Sequence, residues 1–143
     1  MTCAMVISPT RELAMQTNDE FLKMTKDTNL KPFLIIGGPK SSAYLDMYLE
    51  KGGQIMISTP GSLEAILLNS GSRDAAVRDL FISSFQYIEI LIVDEADKLL
   101  EMGFLRQIDV ILSFIPRQRR TGLYSASDST SIQKLSSACM RNQ

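Results

Sequence analysis

The sequence predicts an α/β domain: an open parallel sheet of about five strands with helices on both faces. Two observations carry this. Short apolar runs rich in β-branched residues recur along the chain, and helical patterns separate them. Such alternation calls for right-handed crossovers and a parallel sheet covered on both sides. The composition, 45% hydrophobic and 22% charged over 143 residues, supports one domain with a sizeable core. No repeat or domain boundary is visible, so residues 1–143 read as one unit.

The elements follow in order. Cys3–Ser8 is apolar and ends in Ser8-Pro9-Thr10, a turn and a helix start. Leu13, Ala14, Thr17, Phe21 and Met24 then share one helical face. Phe33–Ile36 is a second strand, stopped by Gly37-Gly38-Pro39. Leu45, Tyr48 and Leu49 mark a short helix that ends at Gly52-Gly53. Ile55–Ser58 is a third strand, and Leu63, Ile66 and Leu67 mark the helix after Thr59-Pro60-Gly61. Ser70-Gly71-Ser72 breaks that helix, and Arg73–Leu80 forms another short one. Ile90–Val93 is the fourth strand. From Leu99 to Ile115 the 3.6 period runs on, weakened at Gly103 and ended by Pro116. Thr121–Ser125 is a fifth strand, and Ile132, Leu135 and Ser136 indicate a last helix.

Composition excludes several classes. There is no histidine, so histidine catalysis and histidine–metal sites are ruled out. Cys3 and Cys139 have no metal-ligand spacing and read as reduced thiols of an intracellular protein. No apolar run spans a bilayer and no signal peptide is visible, so no membrane role is expected. Net charge is −1, so the chain is not an overtly basic nucleic-acid binder. The cluster Arg117-Gln118-Arg119-Arg120 reads as a solvated loop after Pro116.

Each polar cluster comes directly after a strand, and in a parallel sheet those points share one edge. Asp94-Glu95-Ala96-Asp97 follows the buried run Ile90–Val93. Carboxylates there either cap the next helix or hold a hard divalent cation beside phosphates. Pro9-Thr10-Arg11-Glu12 offers a hydroxyl, a guanidinium and free N–H groups to an anion; a cap with an Arg–carboxylate pair fits equally. Gly37-Gly38 permits positive φ and close approach, or only a turn. Thr59-Pro60-Gly61-Ser62 is a helix cap or a phosphate donor set. Ser125-Ala126-Ser127 can bond carboxylates across the rim, or Ser127 can cap the next helix. The glycine-rich loop with lysine that cradles phosphates is absent; Gly37-Gly38-Pro39-Lys40 lacks its spacing.

The ordered set Pro-Thr-Arg-Glu-Leu-Ala (9–14), Gly37-Gly38, Thr59-Pro60-Gly61, Val-Asp-Glu-Ala-Asp (93–97), Met-Gly-Phe (102–104) and Ser125-Ala126-Ser127 resembles the first RecA-like domain of DEAD-box ATP-dependent RNA helicases. The likeness runs from Val6 to about Asn142. It implies ATP and Mg²⁺ as cofactors and RNA, not DNA, as partner. Asp94 would hold Mg²⁺ mostly through water, and Glu95 would orient or deprotonate the attacking water. Asp97 would couple to the hydroxyls of Ser125 and Ser127. Thr10, Arg11, Gly38, Thr59 and Gly61 would touch the RNA backbone, which carries no base information. Two positions depart from the family pattern: Ser62 replaces an arginine, and Ser127 replaces a threonine.

The family's phosphate-binding loop is expected upstream of Pro9 and its second domain downstream. By this reading the chain is a fragment, a partial first domain incomplete at its N-terminus. ATP binding alone would then be weak or absent and helicase activity missing. An exposed sheet edge is expected along Thr121–Ser125. The run Arg119–Ser125 resembles members that assemble the large ribosomal subunit, which implies a pre-ribosomal particle and a nucleolar location, otherwise a cytoplasmic one. A non-catalytic truncated RNA- or protein-binding module is the alternative.

Overall fold

The computed structural model describes residues 1–37, 47–48, 50–68, 75–126 and 130–140. Leu45, Leu49 and the site candidates Gly38 and Ser127 lie outside the described residues. Five strands form one sheet: β1 (Ala4–Ile7), β2 (Pro32–Ile35), β3 (Ile55–Ser58), β4 (Ile90–Val93) and β5 (Arg120–Leu123). All pairings are parallel, in the order β2-β3-β1-β4-β5. Ile7 lies level with Ser58 and Val93, Ser58 with Ile35, and Val93 with Leu123. All five carboxyl ends therefore line one rim.

The helices are α1 (Arg11–Met24), α2 (Pro60–Leu67), α3 (Ala75–Ser83), α4 (Ala96–Glu101), α5 (Leu105–Leu112) and α6 (Thr130–Met140). A 3₁₀ turn, Ser84–Tyr87, follows α3. The twofold alternation of the strands divides the core. Met5, Ile7, Phe33, Ile35, Met56, Leu91 and Val93 face a large layer built from α2 to α6. Val6, Ile55 and Ile57 face a smaller layer with Ala14 and Phe21 of α1. Helices thus cover both faces, unevenly. Among the described helices none is long and apolar enough to cross a membrane.

Three expectations need correction. The helix expected from Leu99 to Ile115 is two helices. Gly103 sits at φ +80°, and Phe104 N–H donates to Leu99 C=O while Gly103 N–H donates to Leu100 C=O. That is a Schellman stop, which a glycine in the left-handed region completes at little cost. Met24, the last residue of α1, is 65% exposed rather than on the buried face. Arg119 is no solvated loop residue: only 7% exposed, it donates from Nη1 to Pro116 C=O and from Nη2 to Cys139 C=O, both at 2.8 Å. It ties the entry of β5 to the end of α6. Its neighbours Arg117, Gln118 and Arg120 are exposed, as expected of them. The expected edge at β5 is observed, since β5 ends the sheet order.

Candidate functional site at the carboxyl rim of the sheet

The rim has two depressions. One, of about 530 Å³, is lined by Asp94, Glu95, Asp97, Lys98, Tyr124, Ser125 and Ala126, from the ends of β4 and β5. The other, of about 520 Å³, gathers Thr10 and Arg11 after β1, Gly37 after β2, and Thr59, Gly61 and Ser62 after β3. Met102 and Phe104 also reach it. The strand order causes this split. β1 stands between β3 and β4, so Thr10, Arg11, Thr59 and Ser62 collect on one side, with Glu12 beside them, and the Asp94–Asp97 carboxylates on the other with Ser125.

In the acidic half, the capping alternative for Asp94 fails. The residue at the helix cap is Glu95, and its side chain makes no cap bond. Asp94 Oδ1 instead accepts from Glu95 N–H at 3.0 Å, and Asp94 N–H donates to Ile7 C=O. The chain turns sharply here. Glu95 has φ 48° and ψ 54°, and among the described residues it is the one non-glycine residue with positive φ. A long side chain held in that region costs about 1–3 kcal/mol and is kept where surrounding structure fixes it. The fixing groups are visible. Ala96 N–H donates to Tyr124 C=O, and Tyr124 N–H donates to Val93 C=O.

Lys98 Nζ stands 3.5 Å from Glu95 Oε2. The pair is close enough for attraction but not aligned as a hydrogen bond, and Oε2 is buried with no hydrogen-bond partner among the described residues. An orphaned, buried carboxylate oxygen calls for a donor such as water. Among the described residues no three carboxylates converge tightly enough to cage a metal. Asp94 beside the orphaned Glu95 oxygen in an open depression fits Mg²⁺ held by one carboxylate, water and phosphate oxygens, which is how that ion usually binds. Asp97, in the first turn of α4, shares this depression with Ser125.

In the other half, Thr10 caps α1 by accepting from Leu13 N–H at 3.2 Å. Arg11 is exposed on the first turn, and the alternative in which it pairs with a carboxylate is not realised among the described residues. Thr59 precedes Pro60 but gives its hydroxyl to no backbone N–H; it pairs with Ser62 Oγ at 2.6 Å. Gly37 takes φ +98°, and a Cβ there would stand 2.8 Å from Ser62 Oγ. Positive φ at Gly37 was thus legible, but the group that approaches it is Ser62, the residue at the departing position. Tyr124, Lys98, Met102 and Phe104 had no assigned role. For Met102 and Phe104 the signal was their place in a recognisable tripeptide; for Lys98 and Tyr124 it was adjacency to the carboxylate and serine clusters.

The comparisons agree with this geometry. Mss116p bound to ssRNA and AMP-PNP superposes with a TM-score of 0.79 at 26% identity, over 98% of this chain and 28% of that one. A DEAD box protein from the hyperthermophile Methanococcus jannaschii gives 0.76 at 29% identity, over 94% of this chain and 34% of that one. The sheet is thus RecA-like. The ATP-dependent RNA helicase DDX55 of Homo sapiens is 39% identical over 140 residues, covering 97% of this chain and 22% of that protein. The DEAD-box ATP-dependent RNA helicase 18 of Arabidopsis thaliana is 39% identical over 138 residues, covering 96% of this chain and 22% of its own length. The chain therefore spans under a quarter of the length of these curated relatives. The family model described as DEAD/DEAH box helicase matches residues 2–135, nearly the whole chain. With the acidic turn after β4 and the hydroxyl and arginine groups after β1 and β3 on one rim, the chain belongs to the DEAD/DEAH box helicase family.

Proposed function

We propose that this chain is part of the first RecA-like domain of an ATP-dependent RNA helicase, remodelling RNA with ATP hydrolysis in a longer protein. The observation that carries the reading is the divided rim: a carboxylate depression and a hydroxyl–guanidinium depression on one sheet edge. ATP with Mg²⁺ would supply the phosphoryl group and the counter-charge there. Asp94 would hold the hydrated cation. Glu95, with Oε2 lacking a hydrogen bond, positions the attacking water and accepts its proton. Asp97, through Ser125 and Ser127, reports the nucleotide state to the neighbouring half. Thr10, Arg11, Gly38, Thr59 and Gly61 grip the sugar-phosphate backbone, with Arg11 as the charged contact. Ser62 offers no charge where the family pattern has arginine, so the grip has one cation fewer. A pre-ribosomal particle in the nucleolus is the finer target we propose, on the likeness of residues 119–125 alone.

The test has two arms. Fluorescent oligouridine and oligoadenine of equal length should bind the chain equally, with affinity falling as salt rises. Arg11→Ala should flatten the salt slope by about 0.7, one phosphate contact. In the longer protein, Glu95→Gln should abolish RNA-stimulated ATP hydrolysis while RNA binding persists. A strong base preference, or hydrolysis that survives Glu95→Gln, overturns the reading.

A further inference from the structure

A third cavity runs along β2, which is an edge strand of the sheet among the described residues. It has about 750 Å³ and sits between the end of α1 on one side and Met47 and Lys51 on the other. Among the described residues its charged lining is Lys26, Lys31 and Lys51, with no carboxylate, in a chain whose net charge is −1. Asp27 and Glu50 adjoin two of these lysines in sequence but do not line the groove. Three apolar side chains stand exposed in it: Leu22 at 50%, Leu30 at 47% and Met47 at 44%.

The floor is backbone. Ile55 N–H donates to Lys31 C=O and Thr59 N–H to Ile35 C=O. In a parallel ladder this parity turns the groups of residues 31, 33 and 35 toward β3. The N–H and C=O of Leu34 and the N–H of Ile36 therefore face the groove, beside the C=O of Pro32. An edge of this kind accepts an extended peptide as an added strand. Lysine and proline at an edge also discourage self-pairing. Here the same lysines that repel a second copy of this edge attract a strand of opposite charge.

We propose that the β2 edge is a docking groove for an extended segment of a partner protein in which pairs of apolar residues alternate with pairs of acidic ones, so that each face of the strand carries both. Backbone bonds to Leu34 and Ile36 would supply the register. Leu22, Leu30 and Met47 would take the apolar side chains, and Lys26, Lys31 and Lys51 the carboxylates. Single-stranded RNA fits less well. Stacking platforms are aromatic, and among the described residues the aromatic one of this lining, Phe33, is buried at 6% exposure. The proposal is independent of the helicase reading, since it uses none of the side chains assigned to the rim and shares with the rim depression only Ile36.

The probe is a synthetic peptide in which pairs of Val or Leu alternate with pairs of Glu or Asp, followed by fluorescence anisotropy and by amide hydrogen exchange of the chain. Binding should slow exchange at Leu34 and Ile36. N-methylation of alternate peptide residues should abolish binding in one phase of the alternation and leave it intact in the other. Lys26→Glu, Lys31→Glu and Lys51→Glu together should weaken binding about tenfold or more, because rim charges become repulsive. Failure to bind at millimolar peptide, or indifference to N-methylation, overturns the proposal. So does oligouridine binding that the three substitutions remove while the peptide is ignored; the groove would then be an RNA surface.

Discussion

Replacing Gly37 by alanine separates two costs that the rim geometry superimposes. The first is conformational: Gly37 has φ +98°, where a side chain costs about 1–2 kcal/mol. The second is a collision, because the new Cβ would stand 2.8 Å from Ser62 Oγ, while Ser62 Cβ at 3.9 Å is in ordinary contact. Oγ can turn away, but it then gives up its 2.6 Å bond to Thr59 Oγ1, worth about 1 kcal/mol. Gly37→Ala should therefore cost about 2–3 kcal/mol. Gly103→Ala provides the ruler: φ is +80° there and nothing lies within 4 Å of the added carbon, so the conformational cost acts alone. Ser62→Ala by itself should cost about 1 kcal/mol, the lost hydroxyl pair. The double variant should cost about 1 kcal/mol less than the two single changes added, since the collision has been removed. Urea unfolding followed by circular dichroism measures all four. If Gly37→Ala costs no more than Gly103→Ala, or if the cycle is additive within about 0.5 kcal/mol, the packing of Ser62 against Gly37 is not what holds this turn.

Other outcomes follow from the same coordinates. Arg119→Ala removes two charge-assisted bonds, to Pro116 and Cys139, and should cost about 2–4 kcal/mol in urea unfolding. Arg119→Lys should recover less than half, because one ammonium lacks the planar fork that reaches both carbonyls; full recovery would mean that charge alone matters. The Cys139 thiol, buried against Arg119, is pushed up to about 11 from an ordinary 9.0, mainly by desolvation. Its folded form keeps the proton that the unfolded chain gives up, so stability should hold steady below about pH 9 and fall between pH 9 and 11. A Cys139→Ala variant should lose that part of the alkaline decline, and an unchanged alkaline limb would refute the assignment. Glu95→Gly should raise the melting temperature, with a gain of about 0.5–1.5 kcal/mol, by relieving a left-handed glutamate and deleting a buried oxygen without a hydrogen bond. A lower melting temperature would show that Glu95 is not strained.

The local pattern of the sequence determined a good deal. Burial on both faces makes β1 and β3 nearly continuous apolar runs, and β4 is as apolar although Ile90 is 42% exposed and Ile92 half-buried, so their positions were readable without partners. Glycine, proline, hydroxyl and acidic residues stop each run, so the places where chemistry could sit were readable too, and a parallel sheet sends them all to one rim. Strand order was beyond that pattern, because nothing within Cys3–Ser8 states that its neighbours are Ile55–Ser58 and Ile90–Val93. Only that order parts the rim into acidic and hydroxyl–guanidinium halves. The helical period ran through Met102-Gly103-Phe104 unbroken, and packing of Leu99, Ile108 and Ile111 under one sheet face decided that the chain must turn there. Arg119 looked like its exposed neighbours until α6 closed over it and presented the carbonyl of Cys139. Glu95 entered the left-handed region because bonds from Ala96 to Tyr124 and from Asp94 to Ile7 pin both sides of the turn. Periodicity and turn chemistry are properties of neighbours in the chain; strand adjacency, burial of a charge and backbone strain are set by groups distant in sequence, and they exist once those groups meet.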